Sequence, residues 1–260
     1  MSTIKVGSHI GSADPITDAV TMGLSQIQIF CGDPQSFKGS TFPHPNGAQG
    51  LRAQAEQSGV DIYVHARYVI NVASTNNKVR IPSRKLLQTE VNSAFEIGAK
   101  GVIVHGGHIT ADDEQDIGFK NWRKALTELD MKVPVFIENT AGGNHAMARR
   151  FEAISQLWEM VGDTGVGFCL DTCHAHAGGM AVSDVAERIL SVVGKIDLIH
   201  CNDSRDEFDS GRDRHANLGN GSIDFDDIVH CIKTANAPVI LETPLDGLAH
   251  DIEALNKALN

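Results

Sequence analysis

No apolar run in the 260-residue chain reaches the length of a membrane span. The opening MSTIKVGSHIGSAD has none of the basic segment, long apolar core or small-residue cleavage site that marks a secretory signal. A cytoplasmic protein with no membrane partner is therefore expected. CxxC pairs are also missing. The five cysteines, Cys31, Cys169, Cys173, Cys201 and Cys231, are odd in number and lie in apolar, strand-like or helical stretches. That favours buried reduced thiols over a disulfide framework.

Positive charge is scarce: 22 Lys and Arg stand against 33 Asp and Glu, a formal net charge of -11. This counts against a generic nucleic-acid binder, whose phosphate contacts usually bring a basic surface. It does not exclude one. Carboxylates that hold divalent cations are neutralised when loaded, and the field of a local patch need not follow the total. The glycine-rich phosphate loop of an open doubly wound sheet is absent too, because GSHIGSAD after the first strand lacks that fingerprint. With no internal repeat, low-complexity tract or linker, residues 1-260 read as one domain.

What is present is an ordinary globular composition, 42% hydrophobic and 21% charged, able to fill a sizeable core. Short β-branched runs alternate with amphipathic stretches throughout. Strands are expected at 4-10, 27-30, 62-66, 101-106, 134-139, 166-172, 196-203 and 239-243. Helices are expected at 84-98, 116-129, 147-161, 183-193, 224-235 and 248-259, with Gly98 and Gly162 as stop signals. Eight strands and their crossovers in about 250 residues suit an α/β fold of the (β/α)8 TIM-barrel type. Binding surfaces are expected in the loops after strands two, seven and eight and at 140-147.

The strand ends carry the chemistry. His65 ends the third strand, His105 the fourth, Glu138 the fifth, Asp171 the sixth with His174 just beyond, His200 the seventh and Glu242 the eighth. Asp213 and His215 follow in the loop after strand seven. Taken singly, a strand histidine is more often a packed core residue than a ligand, and Asp171 before Thr172 could simply cap a helix. Recurrence is different. Six consecutive strands ending in such groups converge on one rim of a barrel, where they would bury unpaired polar side chains unless cations balanced them. Imidazole and carboxylate donors without a thiolate cluster favour zinc, or manganese at one or more sites, for hydrolytic chemistry. In Asp213-Arg214-His215 the i, i+2 spacing puts both donors on one face of an extended segment and turns the arginine away.

The segments YVHARYVINVAS (63-74), VIVHGGH (102-108), ENTAGG (138-143), LDTCHAHAGG (170-179), HCNDSRDEFDSGRDRHANLGNG (200-221) and ILET (240-243) together resemble the endonuclease IV family of apurinic/apyrimidinic endonucleases. The resemblance spans most of the chain and matches all nine ligand positions. It implies three zinc ions: one on His65, His105 and Glu138; a second on bridging Glu138 with Asp171, His200 and Glu242; a third on His174, Asp213 and His215. It also implies an enzyme that cuts double-stranded DNA 5′ to an abasic site and removes blocked 3′ ends. A monomer, nucleoid-associated when engaged on DNA, is the default expectation.

Glu138 is then the catalytic bridge. Tyr68 with Val69 matches the pair that the family inserts into the base stack, although a tyrosine so close to a strand can equally be a loop-packing residue. Gln35 departs from the arginine often found in the loop after strand two. Arg67, Arg205, Arg212 and Arg214 are candidate phosphate contacts, and Asn139 and Asn202 candidate orienting groups. His9 and His108 lie at rim positions as orienting candidates at most.

Two other functions compete. A metal-dependent sugar-phosphate isomerase or epimerase on the same barrel would need only Glu138, Asp171, His200 and Glu242. It leaves the other five donors without a role. A non-catalytic metal-stabilised module is disfavoured because structural zinc sites are usually cysteine-rich and closed.

Overall fold

The computed structural model describes residues 4–110, 112–143 and 145–259. Eight parallel strands close on themselves: β1 (Val6–His9), β2 (Gln26–Ile29), β3 (Asp61–His65), β4 (Val102–His105), β5 (Val135–Glu138), β6 (Gly167–Asp171), β7 (Leu198–Cys201) and a last strand, Val239–Leu241, that pairs with both β7 and β1. Between β7 and that last strand, β8 (Asp203–Ser204) and β9 (His215–Ala216) form a separate antiparallel pair, so the last barrel strand is β10. The parallel register, such as Val239 beside Val6 and Asp171 beside His200, sends every barrel strand's C-terminal end to the same rim. The (β/α)8 expectation is met.

Helices α1 (Pro15–Thr21), α2 (Gly47–Ser58), α3 (Asn77–Glu96), α4 (Gln115–Glu128), α5 (Phe151–Val161), α6 (Thr172–Ala177), α7 (Val182–Val193), α8 (Phe225–Ala235) and α9 (Leu248–Leu259) fill the crossovers. Two differ from the sequence reading. The third starts seven residues earlier than 84: Asn76 caps it by accepting a 2.9 Å hydrogen bond from the Lys78 N–H, and Pro82 is absorbed within the helix instead of ending it. The fifth starts at Phe151 and not at 147. Met147 N–H donates to the Gly107 carbonyl at 2.9 Å, and the Ala148 carbonyl accepts from Thr140 N–H at 3.0 Å, so 147-150 is committed to pairing with neighbouring rim loops. Periodicity also passes over α1 and α6, whose seven and six residues are too few to register a pattern, and over α2, which buries only Leu51 and Ala55. Asp14 caps α1 and Pro15 opens it.

Two apolar layers result. Tyr63, Ile103, Phe136, Cys169, Leu198 and Ile240 fill the barrel interior, and a larger cluster lies between the strands and the surrounding helices. Gln26 lies in the interior too, its amide donating to the carbonyls of Lys5 and Val239. Gly7 makes room for it, since a Cβ there would collide with the Gln26 carbonyl oxygen. All five cysteines are buried and unpaired, in accord with the expected reduced thiols. No helix among the described residues is long and apolar enough to cross a membrane.

Candidate metal centre

The strand ends bring all nine expected donors together. Glu138, fully buried at the end of β5, divides its carboxylate between two sides. Oε2 lies 3.4 Å from both His65 Nε2 and His105 Nε2, while Oε1 lies 3.1 Å from His200 Nδ1 and 3.0 Å from His174 Nδ1. Glu242 Oε2 stands 3.4 Å from His200 Nδ1, and Asp171, His200 and Glu242 form one compact donor group. On the outer side Asp213 Oδ1 lies 3.2 Å from His174 Nε2 and 3.1 Å from His215 Nε2, a second complete group.

These separations fit cations. Donors on a tetrahedral zinc with bonds near 2.1 Å are about 3.4 Å apart along each edge. Glu138 Oε2 is buried and accepts no hydrogen bond, and the buried His174 Nε2 and His215 Nε2 face only Asp213 Oδ1, at 3.2 and 3.1 Å. Unsatisfied buried atoms of this kind are costly unless something unites them. The donor set is nitrogen and oxygen throughout. Cys173 also lies close to Asp171 and His215, its thiol pushed up to about 12 by burial.

The ring orientations agree. Nδ1–H of His65 donates to the Ala66 carbonyl at 2.6 Å, that of His174 to the Asn139 carbonyl at 3.0 Å, and that of His215 to the Glu242 carbonyl at 3.2 Å. Each bond fixes the tautomer that leaves Nε2 as the free donor. Asn202 Nδ2 donates to Asp171 Oδ2 at 2.7 Å while its own oxygen accepts from the Glu242 N–H, and Asn139 spans both backbone groups of Asp171. Asp171 also caps α6, accepting from the His174 N–H at 2.6 Å. The capping and clustering readings of this residue are therefore compatible. Asp203 ties down the following loop by accepting from the N–H groups of Ser204, Gly219, Gly221 and Ile223. A Cβ at Gly221 would collide with the Ser204 carbonyl and that carboxylate.

The charges are strongly coupled. Burial alone would push Glu138 up, but His200 and His105, with hydrogen bonds from His174 and His200, hold it well below the usual carboxylate range. Burial likewise opposes protonation of His174, yet Asp171, Asp213 and Glu138 outweigh it and lift that imidazole well above its ordinary value. His215 rises against burial to about 9 through Asp213, Asp171 and Glu242. In Glu242 burial acts upward, but the His200 and His65 imidazoles bring the carboxyl down to about 2. Two ligands go the other way: burial raises the Asp171 carboxyl above its ordinary value, and burial lowers the His105 imidazole to about 4.

The outer residues divide. Tyr68 is half exposed, packs edge-on against Phe30 and His65, and stacks on His105 at 5.6 Å. Val69 beside it packs partly against the core, and Gln35 is exposed on the loop after β2. Arg67 departs from its expected place near phosphate. It is buried, its Nε 2.9 Å from Glu90 Oε1, and its guanidinium donates to the carbonyls of Cys31, Ser36 and Lys38. The reason is electrostatic: Glu90 is buried on α3 and needs a counter-charge. Arg212 and Arg214 remain on the surface but both pair with Asp206, and Arg205 is exposed. His9 and His108 lie off the donor cluster, His9 within 3.1 Å of Gln28 and His108 bridged to Ala146.

Sequence reasoning passed over Gln28, Glu90 and Asp206. For Gln28 a signal exists: QIQI puts two glutamines on one face of a strand whose neighbours are apolar.

Comparisons with known proteins agree with this geometry. The family described as xylose isomerase-like TIM barrel matches residues 16–259. Probable endonuclease 4 of Mycobacterium tuberculosis (strain ATCC 25177 / H37Ra) is 54% identical over 253 residues, covering 97% of this chain and 98% of the relative. The protein of the same name from Mycobacterium leprae (strain Br4923) is 52% identical over 252 residues, with the same coverage. The crystal structure of endonuclease IV from Thermus thermophilus superposes with a TM-score of 0.84 at 28% identity, covering 98% of each chain. A D-tagatose 3-epimerase-like protein shares the fold, with a TM-score of 0.82 at 20% identity and coverage of 98% of this chain and 97% of that one. With its barrel, its rim of nine donors and relatives matched over nearly their whole length, the chain belongs to the endonuclease IV family within the xylose isomerase-like TIM barrels.

Proposed function

We propose that this protein is a DNA-repair endonuclease that hydrolyses the phosphodiester 5′ to abasic sites, leaving a 3′ hydroxyl and a 5′ deoxyribose phosphate, and that clears blocked 3′ ends with three zinc ions per chain. The observation that carries the reading is the divided carboxylate of Glu138, with His65 and His105 on Oε2 and His200 on Oε1, beside the separate group His174, Asp213 and His215. One ion would be held by His65, His105 and Glu138, a second by Glu138, Asp171, His200 and Glu242, and a third by His174, Asp213 and His215.

When bound, such ions lower the pKa of water from about 16 towards about 7 and offset charge on a phosphodiester and its departing alkoxide. The chain's own groups do the rest. Glu138 supplies one negative charge to two sites at once, and its burial excludes competing water. The backbone-locked imidazoles of His65, His174 and His215 keep their donor atoms aimed, which limits reorganisation during reaction. Tyr68, half exposed beside His65 and His105, would supply the aromatic ring that enters the base stack. A baseless nucleotide, having lost its stacking, leaves the duplex at lower cost.

An epimerase would leave His65, His105, His174, Asp213 and His215 unused, and the likeness to epimerase structures concerns the fold alone. The test is cleavage of a duplex oligonucleotide bearing one abasic site. Cutting on its 5′ side, loss of cutting after chelation and recovery with zinc are expected. A chelation-resistant enzyme, or an uncut duplex alongside epimerised sugar, would overturn the reading.

A further inference from the structure

Among the donor imidazoles, His200 is oriented differently. His65, His174 and His215 each give their Nδ1–H to a backbone carbonyl and offer Nε2. His200 turns Nδ1 towards Glu138 Oε1 and Glu242 Oε2, at 3.1 and 3.4 Å, and its Nε2 meets a side chain, Gln28 Oε1, at 2.8 Å. Fixing Nδ1 as the donor atom requires a proton held on Nε2.

The amide of Gln28 has only one self-consistent orientation. Glu242 Oε1 lies 2.6 Å from one terminal atom of that amide, and a carboxylate oxygen can only accept there, so the atom is Nε2. The other terminal atom facing His200 is then oxygen, and His200 Nε2 must be the donor. A third contact agrees: the Gln28 amide nitrogen also lies 3.1 Å from His9 Nδ1. Burial pushes His9 down to about 4, so near neutral pH its ring is uncharged and can accept. Gln28 is fully buried, which makes an inverted amide costly, since it would face Glu242 with an oxygen and His200 with an N–H.

We propose that Gln28 is the positioning residue for the cation held by Asp171, His200 and Glu242: its carbonyl keeps the His200 proton on Nε2, and its amide occupies Glu242 Oε1 and leaves Oε2 to the cation. The proposal rests on the metal reading of the pocket. It assigns one strand residue, far in sequence from both ligands, to the choice of donor atom on each. Backbone carbonyls do this for His65, His174 and His215. Gln28 does it through a replaceable side chain.

The test has two arms. In the first, zinc is titrated against a chromophoric chelator into metal-stripped wild-type protein, Gln28→Leu and Gln28→Glu. Gln28→Leu is expected to weaken one ion of the set by about 10- to 100-fold and leave the others unchanged. Gln28→Glu retains an acceptor for His200 but repels Glu242, and should also weaken that ion. Unchanged affinity for every ion in both variants would overturn the proposal.

In the second arm, long-range nitrogen–proton correlation on histidine-labelled wild-type protein reads the ring directly and does not depend on the variants folding. Zinc-loaded protein is expected to carry the His200 proton on Nε2. A proton on Nδ1 would overturn the assignment. If wild-type protein takes up no zinc at all, the metal reading fails by itself. The metal-free spectrum then still decides on Gln28, since a slowly exchanging Nε2 proton lost in Gln28→Leu supports the hydrogen bond and a freely exchanging one refutes it.

Discussion

His65 Nε2 stands 3.4 Å from Glu138 Oε2, too far for a strong hydrogen bond and close to the edge of a tetrahedron around a zinc ion. His105 reaches the same oxygen at the same distance from the next strand. One carboxylate oxygen thus serves two imidazoles while the other serves His200. Replacing Glu138 by Gln removes the charge and one acceptor oxygen with almost no change in volume. The variant is expected to keep its far-ultraviolet spectrum, take up fewer ions and cut abasic duplex about 100-fold more slowly or worse. Wild-type turnover in Glu138→Gln would remove this residue from the mechanism.

The pocket's protonation gives stability an unusual pH dependence. In metal-free protein the His215 pKa lies at about 9, above its ordinary 6.5, with His174 and His200 raised in the same direction. A histidine raised on folding contributes stability that is fully present below pH 6.5 and lost as pH climbs through 9. Cations need the same rings deprotonated, so their affinity rises over that range. The melting temperature of chelated protein is expected to fall by a few degrees between pH 6.5 and 9, and that of zinc-loaded protein to hold or rise. Parallel curves for the two forms would contradict the coupling.

Arg67 and Glu90 form a buried ion pair that also anchors the carbonyls of Cys31, Ser36 and Lys38. Burial pushes the Glu90 carboxyl up to about 7 even beside Arg67, so Arg67→Met leaves it to take up a proton and should cost about 1–3 kcal/mol in urea unfolding, more at high pH than at low. The double variant Arg67→Met/Glu90→Leu should regain most of it, because no buried carboxyl is then left unpaired. A double variant as unstable as the single one would locate the effect in packing instead.

Tyr68 touches His65 and His105 but leaves half its surface open. If its ring enters the base stack, Tyr68→Ala raises KM for abasic duplex by roughly 10-fold, within the 1–3 kcal/mol that base–aromatic stacking supplies, and spares zinc content. Equal KM values for the two proteins would leave Tyr68 as a loop-packing residue.

The barrel was legible in the sequence because eight β-branched runs recur between amphipathic stretches, and the rim because those runs end in His, Glu or Asp at matching places. Helix boundaries at 84 and 147 were not, since Pro82 reads as a breaker and 147-150 looks helical until the loops it pairs with are in place. Arg67 looked like a surface base beside Tyr68. Its burial depends on Glu90, a partner 23 positions away on α3 that no local pattern connects to it. Gln28 was overlooked for the same reason: His200 and Glu242 come from strands distant in sequence, and only closure of the barrel brings them to its amide.

The most direct measurement is metal content and abasic-site cleavage on the same preparation, by elemental analysis before chelation, after chelation and after zinc is restored. The account predicts three divalent ions per chain at first, loss of both ions and cleavage on chelation, and return of both with zinc. A preparation that cuts abasic duplex at full rate with less than one ion per chain would contradict it.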